Sequence, residues 1–185
     1  MTVIRAIIER LGTLLRFFEG IALKLSALFL VAMVILINTE VFGRYLFQYS
    51  TRIADEYSGY FYAWIVLLGG MHLLRSDRYL MMTSVLDRLS RRAQNAVYSL
   101  AALVGLTLSS VCLLSVYGLV KLSYLFGTQS TQPSGTLLIF PQLAMPIGYS
   151  LLCAAYLEEL LRRSVGLAPR RADQDAARYG VGDVS

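Results

Sequence analysis

Four apolar runs bounded by charged or polar residues organise this chain: Leu25 to Phe47, Tyr57 to Leu74, Ala93 to Val120 and Leu137 to Leu157. At a rise of about 1.5 Å per residue, each can cross a hydrocarbon layer roughly 30 Å thick. The last three contain no Asp, Glu, Lys or Arg. A helix at the surface of a soluble protein keeps a polar face, and these have almost none. The pattern predicts an all-α, polytopic membrane protein with four transmembrane helices, in one membrane domain over residues 21–163.

The flanking segments have their own periodicity. Within residues 1–20, Ile4, Ile7, Ile8, Leu11, Leu14, Leu15 and Phe18 recur at three- and four-residue steps, with Arg5, Glu9, Arg10 and Arg16 elsewhere on the wheel. This N-terminal amphipathic helix either lies in the membrane interface or extends the first span into the cytoplasm; Gly12 and Gly20 permit a bend. Between spans two and three, Leu80, Met81, Val85, Leu86 and Leu89 predict a short amphipathic cytoplasmic helix, with a capping signal at Ser84 and Asp87. Leu122 to Gly135 reads as a polar outer loop, ordered or mobile. In the fourth span, Pro146 lacks the donor that would meet the Gln142 carbonyl, so a kink is expected there. Residues 164–185 are expected to form a disordered cytoplasmic tail.

Composition agrees with a membrane domain and adds an orientation. Hydrophobic residues make up 56% of the chain, and mean hydropathy is +0.57. The net charge of +5 is no nucleic-acid footprint, because the basic residues are partitioned by the spans. Of 17 Lys and Arg, only Arg44, Arg52 and Lys121 fall in or beside the two outer connections. That bias places both termini and the middle connection in the cytoplasm. A cleaved signal peptide is disfavoured: the first apolar run begins late, and Asn38-Thr39-Glu40-Val41 is no small-x-small site.

Candidate chemistry is sparse. Asn38, Glu40 and Arg44 are the least expected residues in a span; Glu40 and Arg44, four apart, can pair on one face or meet polar groups of a partner subunit. Substituting either is expected to weaken assembly more than Glu158→Ala. Asp55 and Glu56 open the second helix, where acids favour the positive dipole end. Trp64 belongs to an aromatic stripe and can pack against another protein. Ala101, Gly105 and Ser109 form a small-residue stripe on the third span, and Gly148 after Pro146 allows a close neighbour. His72 is the only histidine, which rules out a bis-histidine haem or a multi-histidine metal site in one chain. Cys112 and Cys153 form no CxxC, and no nucleophile, acid and base are assembled. Neither an enzyme nor a cofactor is expected. Spans two and three offer no polar route for a solute, although self-association into a small transporter or channel remains an alternative.

Asn38-Thr39-Glu40-Val41-Phe42-Gly43-Arg44-Tyr45-Leu46-Phe47, then Ala54-Asp55-Glu56-Tyr57-Ser58-Gly59-Tyr60, resembles the small membrane subunit of tripartite ATP-independent periplasmic (TRAP) transporters, the DctQ-like family. The similarity continues through Trp64, Leu68-Gly69-Gly70, Arg75-Ser76-Asp77-Arg78 and Val85-Leu86-Asp87-Arg88-Leu89 to Pro141 and Pro146-Ile147-Gly148-Tyr149. The resemblance implies a non-catalytic subunit of the bacterial inner membrane. Its implied partners are a large membrane subunit of elevator type, carrying substrate and sodium sites, and a periplasmic substrate-binding protein. It also implies sodium-driven uptake of an organic acid, with this chain enlarging the static scaffold. By family position, Asn38, Glu40, Arg44, Asp55 and Glu56 become candidates for contacts between subunits.

Overall fold

The computed structural model describes residues 2–48, 53–76, 90–132 and 134–165. Five helices account for nearly all of them: α1 (Thr2–Phe47), α2 (Ala54–Arg75), α3 (Arg91–Phe126), α4 (Ile139–Gln142) and α5 (Ala144–Ser164). Among the described residues there is no strand, only an isolated antiparallel bridge between Gln129 and Leu137. The amphipathic helix predicted between spans two and three lies mainly outside the described residues, and so does most of the tail.

Among the described residues, three helical stretches are long and apolar enough to cross a membrane: Ile8–Phe47, Ala93–Phe126 and Ile139–Ser164. The second predicted span, α2, is not one of these three; it has 22 residues and therefore the length. Its composition is the obstacle, because Asp55, Glu56, His72, Arg75 and three tyrosines dilute its apolar character.

α2 is nonetheless the central helix. α1 packs along it on one side and α5 on the other, while α3 packs on α5, giving the lateral order α1–α2–α5–α3. Small residues permit these approaches. A Cβ on Gly69 would sit 3.5 Å from Ser26 Oγ of α1, and one on Gly70 would sit 3.7 Å from Leu152 of α5. Gly148 is tighter: its Cβ would lie 2.5 Å from Leu67 Cβ and 3.2 Å from the Leu67 backbone. Without a hydrophobic driving force inside lipid, such close contact is what holds membrane helices together.

α1 runs unbroken through Gly12 and Gly20, so the N-terminal amphipathic segment continues the helix of the first span. Its inward residues are Ile8, Gly12, Leu15, Glu19, Ala22, Ser26, Phe29, Met33, Leu36, Glu40 and Gly43, all buried or half-buried. The steps alternate four and three without a break. That is the 3.5-residue period of a left-handed supercoil, and it explains how one face of α1 stays against its neighbours. Leu15 meets Met71 and Ala155 in the core, flanked by Leu11, Leu74, Leu151 and Ala154.

The fourth predicted span is interrupted a few residues earlier than a simple kink at Pro146 implies. Leu143 separates α4 from α5, and Pro146 occupies the first turn of α5, where a missing donor is tolerated. Leu143 keeps helical dihedrals (φ −59°, ψ −24°), so the interruption is a gap in the hydrogen-bond ladder, not a reversal of direction. α3 ends at Gly127, whose φ of 55° and ψ of 38° suit glycine. There the Thr128 N–H donates back to Ser123 O at 3.1 Å, a Schellman-type closure.

Candidate subunit interface and its two polar layers

The charged residues of the described helices gather at two levels. At the lower level, His72 and Arg75 end α2 beside Glu19 of α1 and Glu158 of α5. Arg75 Nε lies 3.3 Å from Glu19 Oε2, and its Nη2 lies 3.3 Å from Glu158 Oε2. The same Nη2 donates to the Gly12 carbonyl at 3.2 Å. His72 Nδ1 is 2.8 Å from the other oxygen of Glu19. One guanidinium therefore joins three helices. The side chains of Arg75 and Glu158 are only 4% and 2% exposed. Charges so buried persist only when paired and hydrogen-bonded together, because each alone carries a large desolvation cost.

Arg162, one turn beyond Glu158, is also buried. Arg163 faces the α3 side, bonding Glu159 and standing 4.8 Å above the Tyr98 ring. The sequence reading did not single out Glu19 or Glu158, and it ranked Glu158 as the more dispensable acid. The structure reverses the grounds for that ranking, since Glu158 is among the most enclosed side chains. A signal for Glu19 was available: with Glu40 it is one of two acids in the otherwise small or apolar four-three seam of α1.

At the upper level, Glu56 fastens the outer loop to α2. Ser134 Oγ donates to Glu56 Oε2 at 2.5 Å, and Tyr60 OH donates to Glu56 Oε1 at 2.5 Å. Tyr57 OH and Thr136 Oγ1 share a hydrogen bond of 2.9 Å. Within the loop, Ser130 N–H donates to Thr136 O and Leu138 N–H to Thr128 O. The polar outer connection is thus an ordered hairpin-like loop. Desolvation pushes the Glu56 carboxyl upward, but hydrogen bonds from Ser130, Ser134 and Tyr60 outweigh it and hold the group below the ordinary carboxylate range.

The predicted site residues divide into inward and outward sets. Glu40 is buried and pairs with Arg44 at 3.3 Å, the latter's side chain being 57% exposed. Asn38 turns away from the bundle and donates to its own helix at Val34 O, 2.7 Å. With Ile35, Phe42 and Phe47 it borders an open groove of about 580 Å³ on the outer face of α1. Asp55 is exposed, whereas Glu56 is half-buried. Trp64 stacks on Phe29 of α1, with centroids 5.4 Å apart, so part of its surface is used inside the chain.

On α3, Gly105 receives the Tyr156 ring of α5: a Cβ there would clash with the outer part of the ring. Ser109 is buried, but Ala101 is exposed and Ala102 turns inward in its place. A strict four-residue stripe drifts by about 40° per step around a helix of 3.6 residues per turn, whereas 102, 105 and 109 mix three with four.

A model of the DctQ component of tripartite ATP-independent periplasmic transporters matches residues 33–166. The chain belongs to the DctQ family. No curated protein matches it. A DctQ component is a non-catalytic membrane subunit that works with a large membrane subunit and a periplasmic binding protein. The matched region takes in both predicted outer-end charge groups and the His72–Arg75–Glu158 cluster, whereas Glu19 lies outside it.

Proposed function

We propose that this DctQ chain is a fixed flank of the transporter, crossing the inner membrane four times and widening the scaffold against which the large subunit's elevator domain moves. The observation that carries this reading is the spacing of the two charged levels. Glu19 and Glu40 share the inward seam of α1 and are 21 residues apart, about 32 Å along a helix. On α2, Glu56 and Arg75 are 19 residues apart, about 29 Å. Both distances match one hydrocarbon thickness. They favour α2 as the fourth span despite its composition, with its charged ends in the two interfaces.

The distribution of basic residues favours the Glu19–Arg75 level as cytoplasmic, with both termini on that side. Between the levels, the described interior is built from small and apolar groups such as Ala22, Ser26, Leu68, Gly69 and Met71, which suits packing and not conduction. α1 and α3, at the two edges of the row, display broad apolar faces, including Leu28, Ile35 and Phe42 on one and Leu108, Leu114 and Tyr117 on the other. Asn38, Arg44 and Asp55 are the outward members of the candidate set and serve as polar contacts to the large subunit. Uptake of an organic acid, driven by sodium, would then reside in the partners.

Co-reconstitution tests this directly. Vesicles holding all three components should accumulate the acid, those lacking this chain should not, and those holding this chain alone should show no flux. Full-rate uptake without this chain would refute the scaffold role. Flux from the chain alone would favour a self-associating transporter, a reading weakened by Tyr156 already filling the Gly105 stripe.

A further inference from the structure

At the lower charged level the structure sorts charge by sign. Glu19 and Glu158 turn inward onto Arg75, while Arg10, Arg16 and Lys24 of α1 are exposed. Among the described residues, none of these three outward cations has an ion pair. Arg16, Gly20 and Lys24 follow one another at four-residue steps and so share a helical face. Gly20 is open: a Cβ placed there would meet nothing within 4 Å. Phe17, Phe18 and Ile21 are exposed beside it.

We infer that Arg16 and Lys24 hold the phosphate of an anionic phospholipid over the notch left by Gly20. Each cation starts about 6 Å from Gly20 along the axis, within reach of its long side chain. Glu19 lies next to this notch in sequence, so the notch falls at the predicted hydrocarbon boundary. Lys24, the deeper residue, extends back toward the headgroups as lysines near span ends do. Phe17, Phe18 and Ile21 supply the apolar surface that acyl chains and interfacial rings favour. Lipid is preferred over an acidic protein surface because cations and exposed aromatics lie together at one membrane level, the composition of an interfacial anchor.

The inference rests on the proposed membrane placement, and its test separates the two. The full chain, alone and in complex with its large subunit, is incorporated into nanodiscs of phosphatidylcholine with a minor fraction of phosphatidylglycerol. Lipid retained after gentle extraction is then counted by native mass spectrometry. R16Q/K24Q should lower phosphatidylglycerol retention by about 25-fold, at roughly fivefold per cation. Gly20→Leu, which fills the notch without changing charge, should lower it by a smaller factor. Lys121→Gln, near the end of α3 that leads into the outer loop, should leave it unchanged.

Unaltered retention in both R16Q/K24Q and Gly20→Leu would overturn the site. Loss of the large subunit with lipid retention intact would overturn it in favour of a protein contact. If wild-type chain holds the lipid but never captures a large subunit, the scaffold proposal fails while the lipid site stands.

Discussion

The lower and upper polar levels solve the same problem by different means. Below, a buried guanidinium is shared between carboxylates from two other helices, so α1, α2 and α5 are tied side chain to side chain. Above, the half-buried Glu56 carboxylate collects hydroxyl donors from a loop and from its own helix. The first arrangement fails badly if one partner goes, because a charge is stranded away from water. The second degrades gradually, because water can replace a lost hydroxyl. Helix register is therefore fixed mainly at the lower end, and the upper end mainly shapes the surface.

Substitutions at the lower level should have the largest effect. Arg75→Ala takes the shared guanidinium from two buried carboxylates, leaving Glu19 its contact with His72, and should cost about 3–5 kcal/mol, read as a collapse of monodisperse protein and of thermal stability in mild detergent. Replacing Glu19, Arg75 and Glu158 together by apolar residues of similar volume should cost far less. A triple variant as unstable as Arg75→Ala would break the stranded-charge explanation. Glu158→Ala should likewise destabilise much more than Arg44→Ala, for which exposure limits the loss to under about 1 kcal/mol. A lower melting temperature for Arg44→Ala than for Glu158→Ala would restore the ranking suggested by sequence.

Packing between the levels comes next. Gly148→Ala pushes a methyl against the Leu67 backbone and should cost about 1–3 kcal/mol. Gly105→Ala meets the outer part of the Tyr156 ring, which can swing aside, and should cost less when thermal unfolding of the two is compared.

The upper level should respond most gently and with pH. Because the Glu56 carboxyl is held below its ordinary value of 4.5, its contribution is complete above that pH and is lost as pH falls through the lowered value. A nitroxide on exposed Gln132 should gain mobility over that acidic window. Ser134→Ala should shift the transition upward by removing one of the bonds that favour the charged form, and Glu56→Gln should abolish it. A mobility profile that ignores both substitutions would show that Glu56 does not secure the loop.

Most of the helical architecture was legible because long apolar runs leave few alternatives in a membrane. The runs could not say that α2 would be central, since that depends on Gly69, Gly70 and Gly148 admitting neighbours from two sides. Glu40–Arg44 was readable as a local pair four residues apart. The Arg75 cluster was not, because it joins residues from three helices and looks like ordinary boundary charge along the chain. Asn38 and Glu40 were grouped by proximity in sequence, yet two residues on a helix differ by about 200°, and they face opposite ways. The loop anchor was hidden for a similar reason: Glu56 and Ser134 lie 78 positions apart, and hydroxyl-rich loops have no pattern that names their acceptor.

The unbroken four-three rhythm of α1 has a consequence for whatever lies alongside it. A straight α-helix would lose such a stripe by about 20° per heptad, so α1 must coil about its neighbours to keep it. Over the three heptads from Glu19 to Glu40 that coiling amounts to about 60°. The bilayer-facing flank turns by the same angle, so an adjoining rod that lies flush near the inner leaflet crosses obliquely near the outer one. A lateral companion must share that pitch or touch α1 over only part of its length.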